Sequence, residues 1–144
     1  MNLTLYDKDF YLWLEETVQL LQERRLSELD IPNLIDEIAE MAKSQKKAVK
    51  SNLTVILWHL LKYKYQPEKR TNSWRLTLFE HRDRLQESFA DSPSLIPFFR
   101  EVFNESYGKA RQKAAIETGL TIEVFPIASP FTPEEALDSS YLPD

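Results

Sequence analysis

Apolar residues recur at steps of three and four along this chain as far as residue 119, the period of amphipathic helices. A first helix is expected from Asp7, whose carboxylate can cap free amides, to about Arg24. Phe10, Trp13, Leu14, Val18 and Leu21 would form its buried stripe. After a connector from Arg25, the run Asp30-Ile31-Pro32 joins a capping carboxylate to a proline in the first turn. No glycine or proline then intervenes until about Lys64. Ile35, Ile38, Ala42, Gln45, Val49, Leu53, Ile56, Leu60 and Tyr63 keep to one face throughout. Such a helix would be roughly 50 Å long, against a radius of gyration of roughly 15 Å for a compact domain of this size. It must therefore overhang, bend or break near the polar run Lys43 to Lys47. That run holds no turn residue, so one long helix is expected.

Tyr65 to Asn72 reads as a loop, closed by Asn72 or Ser73 as a cap. The next helix would carry Trp74, Leu78, His81, Leu85 and Phe89 on one face. Asp91-Ser92-Pro93 ends it, and a further helix is expected from Ser94 to Gly119, with a weak point at Gly108 and Gly119 as the C-terminal cap. Beyond it, Ile122 to Phe131 with Pro126 and Pro130 looks extended. Thr132-Pro133-Glu134-Glu135 then has the form of a capping box opening a short last helix. The expected fold class is all-α: one helical domain over residues 1–144, with about four main helices, one of them very long. Its core would span residues 5–120, with an extended tail and short helix over 121–144.

Composition narrows the chemistry. The 144 residues include no cysteine, two glycines and two histidines. Disulfides, cysteine-based metal sites, cysteine nucleophiles and glycine-rich phosphate loops are thereby excluded. Apolar and charged fractions of 42% and 28% are those of a folded chain. The opening from Met1 to Asp7 lacks a signal-peptide layout and no apolar run is long enough to span a bilayer, so a cytoplasmic protein without a membrane partner is expected.

Charge is segregated. Residues 1–42 hold three basic and ten acidic side chains, net −7; residues 43–84 hold eleven and three, net +8; residues 85–144 hold four and ten, net −6. One reading is a nucleic-acid surface. In it Lys62, Lys64, Lys69, Arg70, Arg75, Arg82 and Arg84 supply cations, beside the stacking rings of Trp58, Tyr63, Tyr65 and Trp74. The other is internal pairing of the basic middle with acidic first and last helices. A pI near 5.2, against the value above about 9 common in nucleic-acid binders, favours pairing.

Three constellations carry candidate chemistry. Glu37, Glu40 and His59 are ligand types found on metal-binding bundles, but no Glu-x-x-His pair exists, and on a straight helix Glu37 and His59 lie roughly 33 Å apart. No metal and no cofactor are therefore expected. Arg75 and His81 fit a loose spacing of the HEPN superfamily of helical ribonucleases: histidine could deprotonate a 2′-hydroxyl while arginine stabilises the phosphorane. They are the weak catalytic candidates. In the loop before them, Arg70 with Trp74 and Arg75 offers forks and a ring for phosphate or carboxylate, or else bridges to Asp36 or Glu37.

Tyr6-Asp7-Lys8-Asp9-Phe10 with Trp13, then Asn33 to Ile38, His59 to Lys62, Gln66-Pro67, Arg70 and Ser73 to Arg75 form a familiar series. It continues through Asp91 to Leu95, Tyr107, Ala110-Arg111, Glu117 to Leu120 and Phe125-Pro126. Together they resemble the bacterial, largely cyanobacterial domain-of-unknown-function family twenty-nine. The resemblance implies a small helical protein and no particular activity. It singles out Asn33, Glu37, His59, Arg70, Trp74 and Arg75 as candidate binding residues. His81 stands outside the family-like segments, which counts against cleavage by Arg75 and His81. The functional expectation is a non-enzymatic protein-interaction module, self-associating or docking a protein partner. Nucleic-acid binding through residues 43–84 is the alternative, and a metal-independent ribonuclease comes third.

Overall fold

The computed structural model describes residues 4–144, and every regular element among them is helical. The opening Met1 to Leu3, part of the segment read as lacking a signal layout, lies outside the described residues. Seven α-helices follow in order: α1 (Leu5–Lys8), α2 (Phe10–Gln22), α3 (Ile31–Tyr65), α4 (Asn72–Asp91), α5 (Leu95–Glu101), α6 (Phe103–Thr118) and α7 (Pro133–Leu137). The all-α class is as expected, and α2, α3, α4 and α6 are its main helices. The chain packs as two compact units that share α3, one ending at Ser44 and the other spanning Gln45–Asp144.

In the first unit the chain leaves helical geometry at Asp9 (φ −151°, ψ 87°), and the Asp9 carboxylate accepts the Leu12 amide at 3.1 Å. The helix expected from Asp7 therefore starts at Phe10, because Asp9 is the capping residue. Trp13 and Thr17 turn inward, while Phe10, Leu14, Val18 and Leu21 stay exposed, so the stripe expected to be buried is only partly covered. Helix α2 ends where Arg24 takes a left-handed φ of 57° and the Arg25 amide reaches back to the Leu20 carbonyl, a closure usually given to glycine. Asp30 caps α3 as expected, accepting the Asn33 amide at 3.3 Å. Helix α3 then runs 35 residues without interruption.

The second unit has the larger core. Val49, Leu53, Ile56, Leu57, Leu60 and Leu61 of α3 are fully buried against Leu78, Leu85 and Phe89 of α4, Phe99 of α5 and Tyr107 of α6. Each large aliphatic side chain so buried contributes roughly 1.5–3 kcal/mol. Thr71 caps α4, because its backbone is extended (φ −134°, ψ 161°) and its hydroxyl meets the Trp74 amide; Asn72 and Ser73 are already helical. The inward stripe of α4 is Leu78, Arg82, Leu85 and Phe89, with Trp74 and His81 only half-buried, a correction to the expected face. The helix expected from Ser94 breaks at Val102, not at Gly108. There the backbone unwinds (φ −92°, ψ 3°) and lets Phe99, Val102 and Phe103 all turn into the core. Gly119 ends α6 in left-handed geometry (φ 74°), as expected.

After Gly119 the chain is mostly irregular, apart from a 3-10 turn at Ile122–Val124 and α7, which opens on the expected Thr132–Glu135 capping box. Irregular backbone still needs hydrogen-bond partners, and side chains from the helices provide them. The Tyr107 hydroxyl donates to the Pro126 carbonyl, Arg111 Nε to Phe125 at 2.9 Å and Gln86 Nε2 to Leu137 at 2.9 Å. Arg82, only 2% exposed, donates to the carbonyls of Ala136, Tyr141 and Glu135 at 2.9–3.0 Å.

Candidate functional site

The six candidate binding residues divide between the units. In the first, Asn33 Nδ2 donates to Asp30 Oδ2 at 2.7 Å, extending the α3 cap. Glu37 accepts a short hydrogen bond from the Tyr6 hydroxyl, which pushes the Tyr6 pKa up to about 12. Tyr6 in turn meets Phe10 and Trp13 edge-on, with centroids 5.6 and 4.9 Å away. Asn33 and Glu37 thus pin helix ends and a tyrosine within their own unit.

The other four lie in the second unit. His59 Nδ1 donates to the Val55 carbonyl at 2.9 Å, and burial lowers its pKa, with Lys62 adding to the shift. Arg70 lies 4.2 Å over the Tyr63 ring, and its Nε donates to the Tyr63 carbonyl at 2.7 Å. The expected bridge from Arg70 to Asp36 or Glu37 is therefore replaced by a contact that closes the end of α3. Trp74 takes the Lys62 ammonium 4.6 Å from its ring centre, while Arg75 is exposed beside Tyr63, Arg70, Thr71 and Asn72. His81 Nδ1 donates to Asn52 Oδ1 at 2.7 Å, and burial lowers its pKa, with Arg84 adding to the shift. Arg75 lines the shallow hollow with Arg70, and His81 does not. Among the described residues no group of three or more His, Asp or Glu side chains is arranged to hold a metal ion.

Of the seven cations read as a nucleic-acid surface, three are engaged internally. Lys62 is buried, pairs with Glu117 and lies between Trp58 and Trp74. Arg82 holds the tail carbonyls, and Arg70 closes α3. The lysines that remain grouped lie elsewhere. Lys46, Lys47 and Lys50 of α3 face Lys109 and Lys113 of α6 across a cleft of about 750 Å³, floored by Thr54 and Ser106. Thr54 Oγ1 donates to the Lys50 carbonyl at 2.8 Å, whereas the buried Ser106 Oγ has no partner. A buried hydroxyl left unpaired costs roughly 1–3 kcal/mol. Charge counting by segment passed over this cleft, because α6 lies in a stretch that is acidic on average. Lys109 and Lys113, four apart, were the signal that could have shown it.

No helix of the described residues is long and apolar enough to cross a membrane. The model of a family described as "Domain of unknown function DUF29" matches residues 5–142. No curated protein and no solved structure matches the chain.

Proposed function

Because the chain belongs to the DUF29 family, whose description names no activity, we propose from its geometry that it is a non-enzymatic protein-interaction module that self-associates through its first unit. One observation carries this reading. On a single face of α3, Val49, Leu53, Ile56 and Leu60 are 0% exposed, whereas Ile31, Ile35 and Ile38 are 47%, 60% and 59% exposed. Phe10, Leu14, Val18 and Leu21 add an apolar strip on α2. An apolar face of this extent marks an interaction surface.

The occupant is a second copy of the same face. Ile31, Ile35, Ile38, Ala42 and Gln45 alternate steps of four and three, the spacing that lets a helix interlock with its own copy. Helical geometry turns Asp36 and Glu40 away from that stripe on α3, and Glu15 and Glu16 away from the strip on α2, so the seam holds few like charges. Two-fold pairing is the commonest form of self-association, and a stable interface needs roughly 800 Å² from each partner.

Sedimentation equilibrium of the purified chain tests this. A dimer that the double substitution Ile35→Glu, Ile38→Glu converts to a folded monomer is the expected result. A wild-type chain that stays monomeric at the highest soluble concentration would overturn it, and would leave the face to a different protein.

A further inference from the structure

We propose that the lysine-lined cleft of the second unit binds a compact polyphosphate-bearing ligand of nucleotide size. The cleft brings five lysines from two helices together with a single acid, Glu105, and its roughly 750 Å³ suits a ligand of that size. Glu105 is already paired to Lys50 at 2.9 Å, which leaves four ammonium groups without an acid on the cleft wall. Beneath the floor the Ser106 hydroxyl, in a residue 2% exposed, has no hydrogen-bond partner, so the residue packs under the cleft and the lysines above it supply the polar contacts. At one edge Phe98 lies half-buried with the Lys46 ammonium 5.0 Å from its ring centre, an apolar wall beside the cations.

The extent of the cleft sets the size of the anion. The unit that holds it is near neutral, with fourteen basic and thirteen acidic side chains over residues 45–144, so the lysines are a local concentration of charge and a long polyanion would gain little beyond them. A compact anion remains within reach of the lysines. Ammonium groups act as point charges on phosphate oxygens, so recognition here is by charge density, with no base-specific contact. This site is separate from the self-association face and does not depend on it.

Equilibrium dialysis of the intact chain at low salt tests the proposal, with ATP and inorganic tripolyphosphate as separate probes and a twelve-nucleotide single strand as comparison. Both compact probes are expected to bind, with affinity falling as salt rises. Tripolyphosphate binding as tightly as ATP would assign recognition to the phosphates alone, and tighter ATP binding would assign a share to the Phe98 wall. Lys47→Gln with Lys109→Gln should weaken binding about tenfold or more. Glu105→Gln frees Lys50 and should tighten binding, an effect that damage to folding would not imitate. Lys69→Gln, outside the cleft, should change nothing. The proposal is overturned if neither compact probe binds, if the cleft substitutions leave binding unchanged, or if only the oligonucleotide binds.

Discussion

The two ends of α3 carry the same pattern and meet different surroundings. From Val49 onward its apolar stripe disappears into a core built with α4, α5, α6 and the tail. Before Ser44 the same stripe lies beside a short helical unit that covers Trp13 and Thr17 and leaves Ile31, Ile35 and Ile38 open. The difference shows what amphipathic periodicity carries. It states which side of a helix avoids water, and the number of neighbouring elements decides whether that side is covered within the chain. Only α1, α2 and a 3-10 turn accompany α3 in the first unit, too few to cover the apolar residues of both α2 and α3.

The strongest way to break the comparison is to empty the covered end. Leu57 is fully buried in the second unit, and Leu57→Ala should destabilise the chain by about 2–5 kcal/mol through lost transfer energy and a residual cavity. Urea unfolding followed by tryptophan fluorescence would read it as a lower midpoint with an unchanged slope. A cost below about 1 kcal/mol would mean that this end of α3 is no better packed than the other.

A second test asks what closes the covered end. Arg82 is buried, with burial drawing its pKa down, and its guanidinium holds three carbonyls of the tail. Arg82→Ala strands those acceptors and should cost on the order of 3 kcal/mol. Amide exchange should quicken first in α7 and the residues after it. Exchange spread evenly over the second unit would instead make Arg82 a packing residue with no particular hold on the tail.

Arg82 also shows where the sequence was legible and where it was not. The long uninterrupted α3, the Asp30 cap, the Gly119 terminus and the Thr132 capping box could all be read, because each rests on local chemistry within four or five residues. The break at Val102 could not, since it is neither glycine nor proline and what turns the chain there is the burial of Phe99 and Phe103; the start at Phe10 rests on the Asp9 cap, a local signal that Asp7 two residues earlier offered equally well. Arg82 was grouped with surface cations by its charge. Yet it follows Leu78 by four and precedes Leu85 by three, the spacing of the inward stripe. Among the candidate binding residues, Asn33 extends a cap, Arg70 closes the end of α3 and Trp74 stacks on Lys62, contacts that residue type alone does not announce. The cleft joins residues 46–55 of α3 to residues 105–113 of α6, which no local pattern connects.

The smallest expected effect is the most informative about the open end. Ile35→Ala removes a side chain that is 60% exposed, so little packing is lost, and alanine is the better helix former. In dilute solution the unfolding free energy should therefore change by no more than about 0.5 kcal/mol in either direction. Repeating the measurement at high protein concentration sharpens the contrast with Leu57. If a second copy covers the stripe, wild-type stability rises with concentration by mass action, and Ile35→Ala should forfeit part of that rise. Leu57→Ala should carry its full cost at both concentrations, because its cavity lies inside one chain. A cost for Ile35→Ala as large as that for Leu57→Ala in dilute solution would mean that the open stripe is covered within the monomer. The two ends of α3 would then differ only in which part of the chain covers them.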